Sequence, residues 1–149
     1  MTHDPADCLV TVTGASGFIA MHCVLRLLRE GYRVRGTLRS AARGASIRAT
    51  LEKHVDIADR LEFAIADLTR DDGWADAMAG ARYLLHVASP LPRKPPKHEN
   101  ELIEPARGGA LRALEAAHVQ GVEGVGDDLV GGGSGLRSRP GDHAGVRRE

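Results

Sequence analysis

A chain of 149 residues with 20 basic and 20 acidic side chains, zero formal net charge and 42% apolar residues has the size and composition of one small globular domain. The neutral balance gives no electrostatic reason to expect a nucleic acid or an acidic lipid surface as partner. The opening residues do not read as a signal peptide and no apolar run approaches the roughly 18 residues of a membrane span, so the expected location is the cytoplasm.

Leu9 to Val12 is a short apolar, β-branched run of the kind that forms a buried parallel strand, and it stops at Gly14, which tolerates positive φ in a tight turn. From Phe18 the period becomes helical: His22, Arg26, Arg29 and Glu30 fall on one face, Ile19, Cys23, Val24, Leu27 and Leu28 cover the rest, and Gly31 is a natural stop. Tyr32 to Leu38 supplies a second strand and closes a strand, helix, strand unit of about thirty residues. Along the whole chain, strands are expected near 8–13, 32–38, 61–66 and 82–87, and helices near 17–30, 41–54, 72–79 and 99–119. This alternation predicts an α/β fold, and right-handed crossovers give a parallel sheet in the order 3-2-1-4 with helices on both faces. Cys8 and Cys23, on the first strand and helix, read as buried small hydrophobes rather than as a disulfide or metal framework. The stretch 88–98, with four prolines and Arg93, Lys94 and Lys97, reads as a solvated basic loop. In the last helix Ile103, Ala106, Ala110, Ala113, Leu114 and Ala117 recur at helical spacing, and Pro105 marks either a kink or the first turn.

A helix that begins near Ser16 or Gly17 points unpaired backbone N–H groups, and the positive end of its dipole, at whatever lies over the glycine turn. A pyrophosphate fits there, with Gly14 permitting the turn, Gly17 letting the backbone approach and the small Ala20 letting helix pack on strand. The spacing is G-x-x-G-x-x-A rather than G-x-G-x-x-G, and a similar turn occurs in α/β proteins that bind nothing at that place. The end of the second strand carries Arg39 and Ser40 with no acid. Arg39 is either a solvated arginine or a fork suited to a 2′-phosphate, which favours NADP over NAD.

The series Thr13-Gly-Ala-Ser-Gly-Phe-Ile-Ala20, Val34-Arg-Gly-Thr-Leu-Arg39, Ala66-Asp-Leu68, His86-Val-Ala-Ser-Pro90 and Asn100-Glu-Leu-Ile-Glu-Pro-Ala106 resembles, in order and spacing, the extended short-chain dehydrogenases/reductases. Within that epimerase/dehydratase superfamily it is similar to the branch of dihydroflavonol and cinnamoyl-CoA reductases, and it covers the amino-terminal portion only. The resemblance implies a Rossmann-type fold in which Gly14, Ser16, Gly17, Phe18 and Ile19 hold the pyrophosphate and Arg39 meets the 2′-phosphate of NADP. It also implies that Asp67 and Leu68 flank the adenine, and that Val87, Ala88 and Ser89 line the nicotinamide-ribose side. On composition alone Asp67-Leu68 reads equally as a helix cap followed by a core leucine. At Gly108-Gly-Ala110 the chain departs from the family's Glu-Gly-Thr, a change expected to weaken that helix by roughly a kcal/mol.

Family character is expected to end near residue 121. Residues 122–149, rich in Gly and Arg, read as a disordered tail in place of the buried fifth strand that delivers a catalytic serine in the family. The fourth strand is then an exposed sheet edge, open to self-association or to a protein partner. Codons for Asp127 to Arg139 read one base forward can spell Met-Thr-Ser-Ser, a Val/Ala run and Tyr-Gly-His-Asp, so a single-base insertion or deletion near codons 121–126 accounts for the break. Reduction in this family needs a tyrosine proton donor with a lysine four residues on. Tyr32 and Tyr83 lack that lysine, so no catalytic residue is assigned, and no metal site. The expectation is the NADP(H)-binding portion of an aldehyde or ketone reductase, inactive as this chain. The alternative is a non-catalytic NADP(H) sensor acting through a partner, and an RNA-binding role for the arginine-rich tail is disfavoured by neutral charge and absent aromatic residues.

Overall fold

The computed structural model describes residues 4–88, 95 and 97–127. β1 (Leu9–Val12) is buried along its whole length because neighbours cover both its edges and helices cover both its faces. It pairs in parallel with β2 (Arg33–Leu38) on one side and β4 (Tyr83–His86) on the other, so that Val10 lies between Val34 and Tyr83. β3 (Leu61–Ile65) adds outside β2, in register from Val34 opposite Leu61 to Leu38 opposite Ile65. The expected order 3-2-1-4 is present within the observed order β3-β2-β1-β4-β5.

Two cores lie on the two faces of the sheet. On one, α1 (Phe18–Arg29) and α2 (Gly44–Glu52) bury Ala20, Val24, Leu27, Leu28, Ile47 and Leu51 against strand residues such as Val12, Val34 and Leu38. On the other, the short α3 (Trp74–Met78) and the long α4 (Asn100–Val119) bury Trp74, Ala77, Met78, Ala113 and Ala117 against Leu84. α1 ends in paired bonds from Gly31 N to the Leu28 carbonyl (3.1 Å) and from Tyr32 N to the Leu27 carbonyl (3.0 Å), the Schellman arrangement expected of a glycine stop. Cys8 is buried and Cys23 half-buried, both as thiols. No helix among the described residues is long and apolar enough to cross a membrane.

The structure corrects several boundaries. The expected helix 41–54 opens with a 3-10 turn at Ala41–Arg43, whose Ser40 hydroxyl accepts from Ala42 N, and only then becomes α2. The expected helix 72–79 is reduced to five residues. Pro105 lies within α4, which continues through it, so it does not mark the first turn.

The larger correction concerns the expected tail. Gly124–Asp127 form β5, parallel to β4 in register from Tyr83 opposite Gly124 to His86 opposite Asp127. Pairing uses backbone groups, so glycine-rich composition hides it. The strand is delivered by a Schellman turn after α4, with Val122 N bonded to the Ala117 carbonyl at 2.9 Å, and by the Arg82–Glu123 ion pair at 2.9 Å. β4 is therefore not an exposed edge, and among the described residues the sheet ends in β3 and β5. The rest of the Gly/Arg-rich segment, 128–149, lies outside the described residues.

Gly109 has a use that its low helix propensity conceals. It is buried in α4, and a Cβ there would sit 2.8 Å from Leu68 Cβ, so its absence lets the helix pack against the turn after β3. Gly109→Ala should lower stability by about 1–3 kcal/mol through overpacking, although alanine favours helix by about 1 kcal/mol. The midpoint of thermal unfolding measures this, and a raised midpoint would show that propensity and not the Leu68 contact governs the position.

Candidate functional site

The strand order reverses between β1 and β4, and the carboxyl ends of these two strands are where an open α/β sheet leaves a crevice. The chain following each strand meets the other there. Gly14 has φ +67°, and a Cβ on it would lie 2.7 Å from the Ala88 Cβ, so both the backbone conformation and the close approach require glycine. The turn closes with Gly17 N donating to the Gly14 carbonyl at 2.9 Å. Gly14 N donates to Thr37 Oγ1 at 3.0 Å and Ala15 N to the Thr37 carbonyl at 2.9 Å, which ties the turn to the end of β2.

Thr13, fully buried, ties the same turn to the end of β4. Its Oγ1 accepts from the N–H groups of Val87 and Ala88, each at 3.0 Å. The same hydroxyl shares a hydrogen bond with His86 Nδ1 at 3.0 Å. In the sequence Thr13 and His86 stand within motifs and Thr37 within a strand, with nothing local that assigns them a role. Side-chain bonds spanning 23 to 75 positions leave no local signal.

Gly17 caps α1 with no side-chain hydrogen bond, and the first intrahelical bond is from Met21 N to the Gly17 carbonyl at 2.9 Å. The N–H groups of Phe18, Ile19 and Ala20 therefore precede the ladder and open at the helix's positive end. Ser16 is exposed there, as are the side chains of Phe18 (79%) and Ile19 (52%), so these residues offer the crevice backbone donors. Phe18 makes an edge contact with His22, ring centroids 4.6 Å apart.

Arg39 follows β2 directly, is exposed, and has no hydrogen bond or ion pair to a described residue. Asp67 follows β3 after Ala66. Its Oδ1 accepts from Thr69 N at 2.9 Å and Thr69 Oγ1 at 2.8 Å, and these bonds, joined by the charges of Arg39 and Arg70, hold its carboxyl below the usual carboxylate range. Leu68 points into the second core, 8% exposed, so its side chain is a packing element and only its backbone faces outward chemistry. Val87 and Ala88 are half-buried beside the glycine turn, and Ser89 lies outside the described residues.

The fold thus brings together Gly14, Ser16, Gly17, Val87 and Ala88 at one point, with Arg39 and Asp67 on the neighbouring strand ends. Both tyrosines pack partly buried against the first core, Tyr32 immediately before β2 and Tyr83 at the start of β4, and burial pushes the Tyr32 phenol up. No group of His, Cys, Asp and Glu among the described residues could hold a metal ion. An open groove on α1 lined by His22, Leu25, Arg26, Arg29 and Glu30 lies toward the other end of that helix and belongs to no strand end.

The depressed Asp67 carboxyl contributes stability above its unfolded pKa, and this contribution is lost as pH falls through the lower folded value. Thr69→Val removes the hydroxyl donor and keeps the backbone one, so Asp67 should titrate at higher pH and the acid limb of stability should move up with it. Carboxyl-carbon NMR titration reads this directly, and an unmoved titration would contradict the assigned cause.

Residues 10–135 match the NAD-dependent epimerase/dehydratase family. The match passes the boundary expected near residue 121 and includes β5. Similar proteins include ketoreductase CTB6 of Cercospora nicotianae, 38% identical over 122 residues, 78% of this chain and 34% of that protein. Dihydroflavonol 4-reductase of Hordeum vulgare is 38% identical over 112 residues, 75% of this chain and 31% of that protein. Among solved structures, Gre2 of Candida albicans in complex with NADPH superposes with a TM-score of 0.67 at 32% identity, covering 80% of this chain and 36% of that one. The chain thus spans about a third of the length of the relatives it matches. With the strand order, the glycine turn at the switch point and the extent of the sequence match in agreement, this chain belongs to the NAD-dependent epimerase/dehydratase family, the extended short-chain dehydrogenases/reductases.

Proposed function

We propose that this chain is the NADP(H)-binding portion of a reductase of aldehydes or ketones, and that these residues bind the cofactor without turning over a substrate. The observation that carries the reading is the pairing of a Cβ-free crossing, Gly14 against Ala88, with an arginine at the next strand end that no described side chain occupies. The residues fit the group. The N–H groups at the start of α1, with Ser16 and Gly17, suit a pyrophosphate, and Arg39 suits a 2′-phosphate better than a bare ribose. Asp67 and the Leu68 backbone suit the adenine, while Val87 and Ala88, with Ser89, suit the nicotinamide-ribose side.

Bound NADPH supplies a hydride to a carbonyl carbon. What this chain adds is position and field: the helix terminus and Arg39 neutralise phosphate charge, and the Thr13 and Thr37 bonds keep the turn from moving relative to β4 and β2. It supplies no proton donor, since Tyr32 and Tyr83 have Gly36 and Val87 where the lysine would stand, and general acid catalysis is worth a factor of about 10² to 10⁴. In this reading a single-base insertion or deletion near codons 121–126 puts the run that follows out of frame, and the family's serine and Tyr-x-x-x-Lys belong to the other frame. The second reading, a non-catalytic NADP(H) module that reports through a partner, shares the same site and is favoured only if binding changes the mass of the assembly.

Calorimetry should show NADPH binding more tightly than NADH by at least about tenfold, the worth of a charge-assisted fork to phosphate. Arg39→Ala should remove that preference while leaving NADH affinity unchanged. Equal affinity for the two cofactors in the unsubstituted chain would contradict the assignment of Arg39 and of NADP.

A further inference from the structure

The turn after β3 is held from outside by two side chains of helices far along the chain. The Trp74 indole N–H on α3 is shared between the carbonyls of Asp67 and Arg70, each at 3.0 Å. From α4, Arg112 donates through Nη1 to the Leu68 carbonyl at 2.9 Å and through Nε to Asp71 Oδ1 at 2.7 Å. Gly109, one turn earlier on α4, admits the Leu68 side chain against the same helix. Asp67, Leu68, Arg70 and Asp71 are therefore each fixed by a bond that does not originate in the turn.

We propose that Arg112 is a positioning residue for adenine recognition: by gripping the Leu68 carbonyl and Asp71 it sets where the Asp67 carboxylate stands at the crevice. This rests on the NADP(H) reading above. Asp67 Oδ1 is engaged by Thr69, and Oδ2 has no bond to a described residue, which leaves an ionised acceptor for the exocyclic amino group of an adenine. The ion pair itself adds little to stability, because Asp71 is 89% exposed and Arg112 32%. Its geometric effect is larger. A bond to a main-chain carbonyl next to Asp67 restricts the turn that carries it, and a shift of the carboxylate by a fraction of its hydrogen-bond length would lose the amino group.

The test uses the full 149-residue chain and two ligands, NADPH and its hypoxanthine analogue, in which the 6-amino donor is replaced by a carbonyl. The unsubstituted chain should prefer NADPH by about tenfold, the usual range for a hydrogen bond to a charged group. Arg112→Ala should reduce that preference by about fivefold or more through weaker NADPH binding, with affinity for the analogue unchanged. Asp71→Asn, at an exposed side chain that leaves the fold intact, should reduce it less and in the same direction. Equal losses for both ligands, or an unaltered preference in both variants, would overturn the proposal and leave Arg112 a structural residue. If the unsubstituted chain binds NADPH without preferring it to the analogue, this proposal falls and the cofactor reading stands. If it binds no NADPH, both fall.

Discussion

The architecture of the site depends on the crossing of Gly14 and Ala88 at the switch point of the sheet. Two chain segments leaving adjacent parallel strands need to come within van der Waals contact there, and only a residue without Cβ in the left-handed region lets them do so. Thr13 makes the contact permanent. One hydroxyl accepts two backbone N–H groups that the end of β4 would otherwise present unpaired and shares a hydrogen bond with His86, so the end of β1 and the start of the loop after β4 are joined through one oxygen. Thr37 does the same toward β2. The amino-terminal end of α1 is consequently oriented by the ends of β1, β2 and β4.

The two faces of the sheet serve the crevice in different ways. The α1 and α2 face is a continuous aliphatic core and supplies rigidity beneath the glycine turn. On the α3 and α4 face, small residues at Gly109, Ala113 and Ala117 bring α4 close, which puts Arg112 within reach of the turn after β3. The glycine that lowers the helix propensity of α4 is thus what lets the helix hold that turn. Arg35 has a parallel structural use. It bridges Glu62 at 3.0 Å and donates to the carbonyls of Asp76, Ala77 and Ala79, closing the carboxyl end of α3 from the edge of β2.

What was readable from sequence follows from how local each determinant is. The first strand, glycine turn and helix were legible because a change of hydrophobic period falls across a glycine. β5 was not legible: its Gly-Val-Gly-Asp has neither alternation nor bulk, and it forms because β4 offers a free edge and Arg82 meets Glu123 beside it. The inward orientation of Leu68 was balanced against a cofactor contact, and burial against Gly109 decides it for the side chain. Thr13, Thr37, Trp74 and Arg112 act through bonds to backbone groups on other elements, where residue type alone says nothing of the partner. Pro105, which on sequence allows a kink or a first turn, sits within the continuous α4, beyond its first turn.

The central claim is that the ends of β1, β2, β3 and β4 form one nucleotide site on this chain. Backbone amide NMR of the full chain titrated with NADPH tests it most directly. Shifts are expected to concentrate at Gly14 to Ala20, at Arg39 and Ser40, at Asp67 to Thr69 and at Val87 and Ala88, moving together with a single affinity. Shifts confined to the groove beside Arg26 and Arg29 on α1, or no saturable shifts at all, would contradict it.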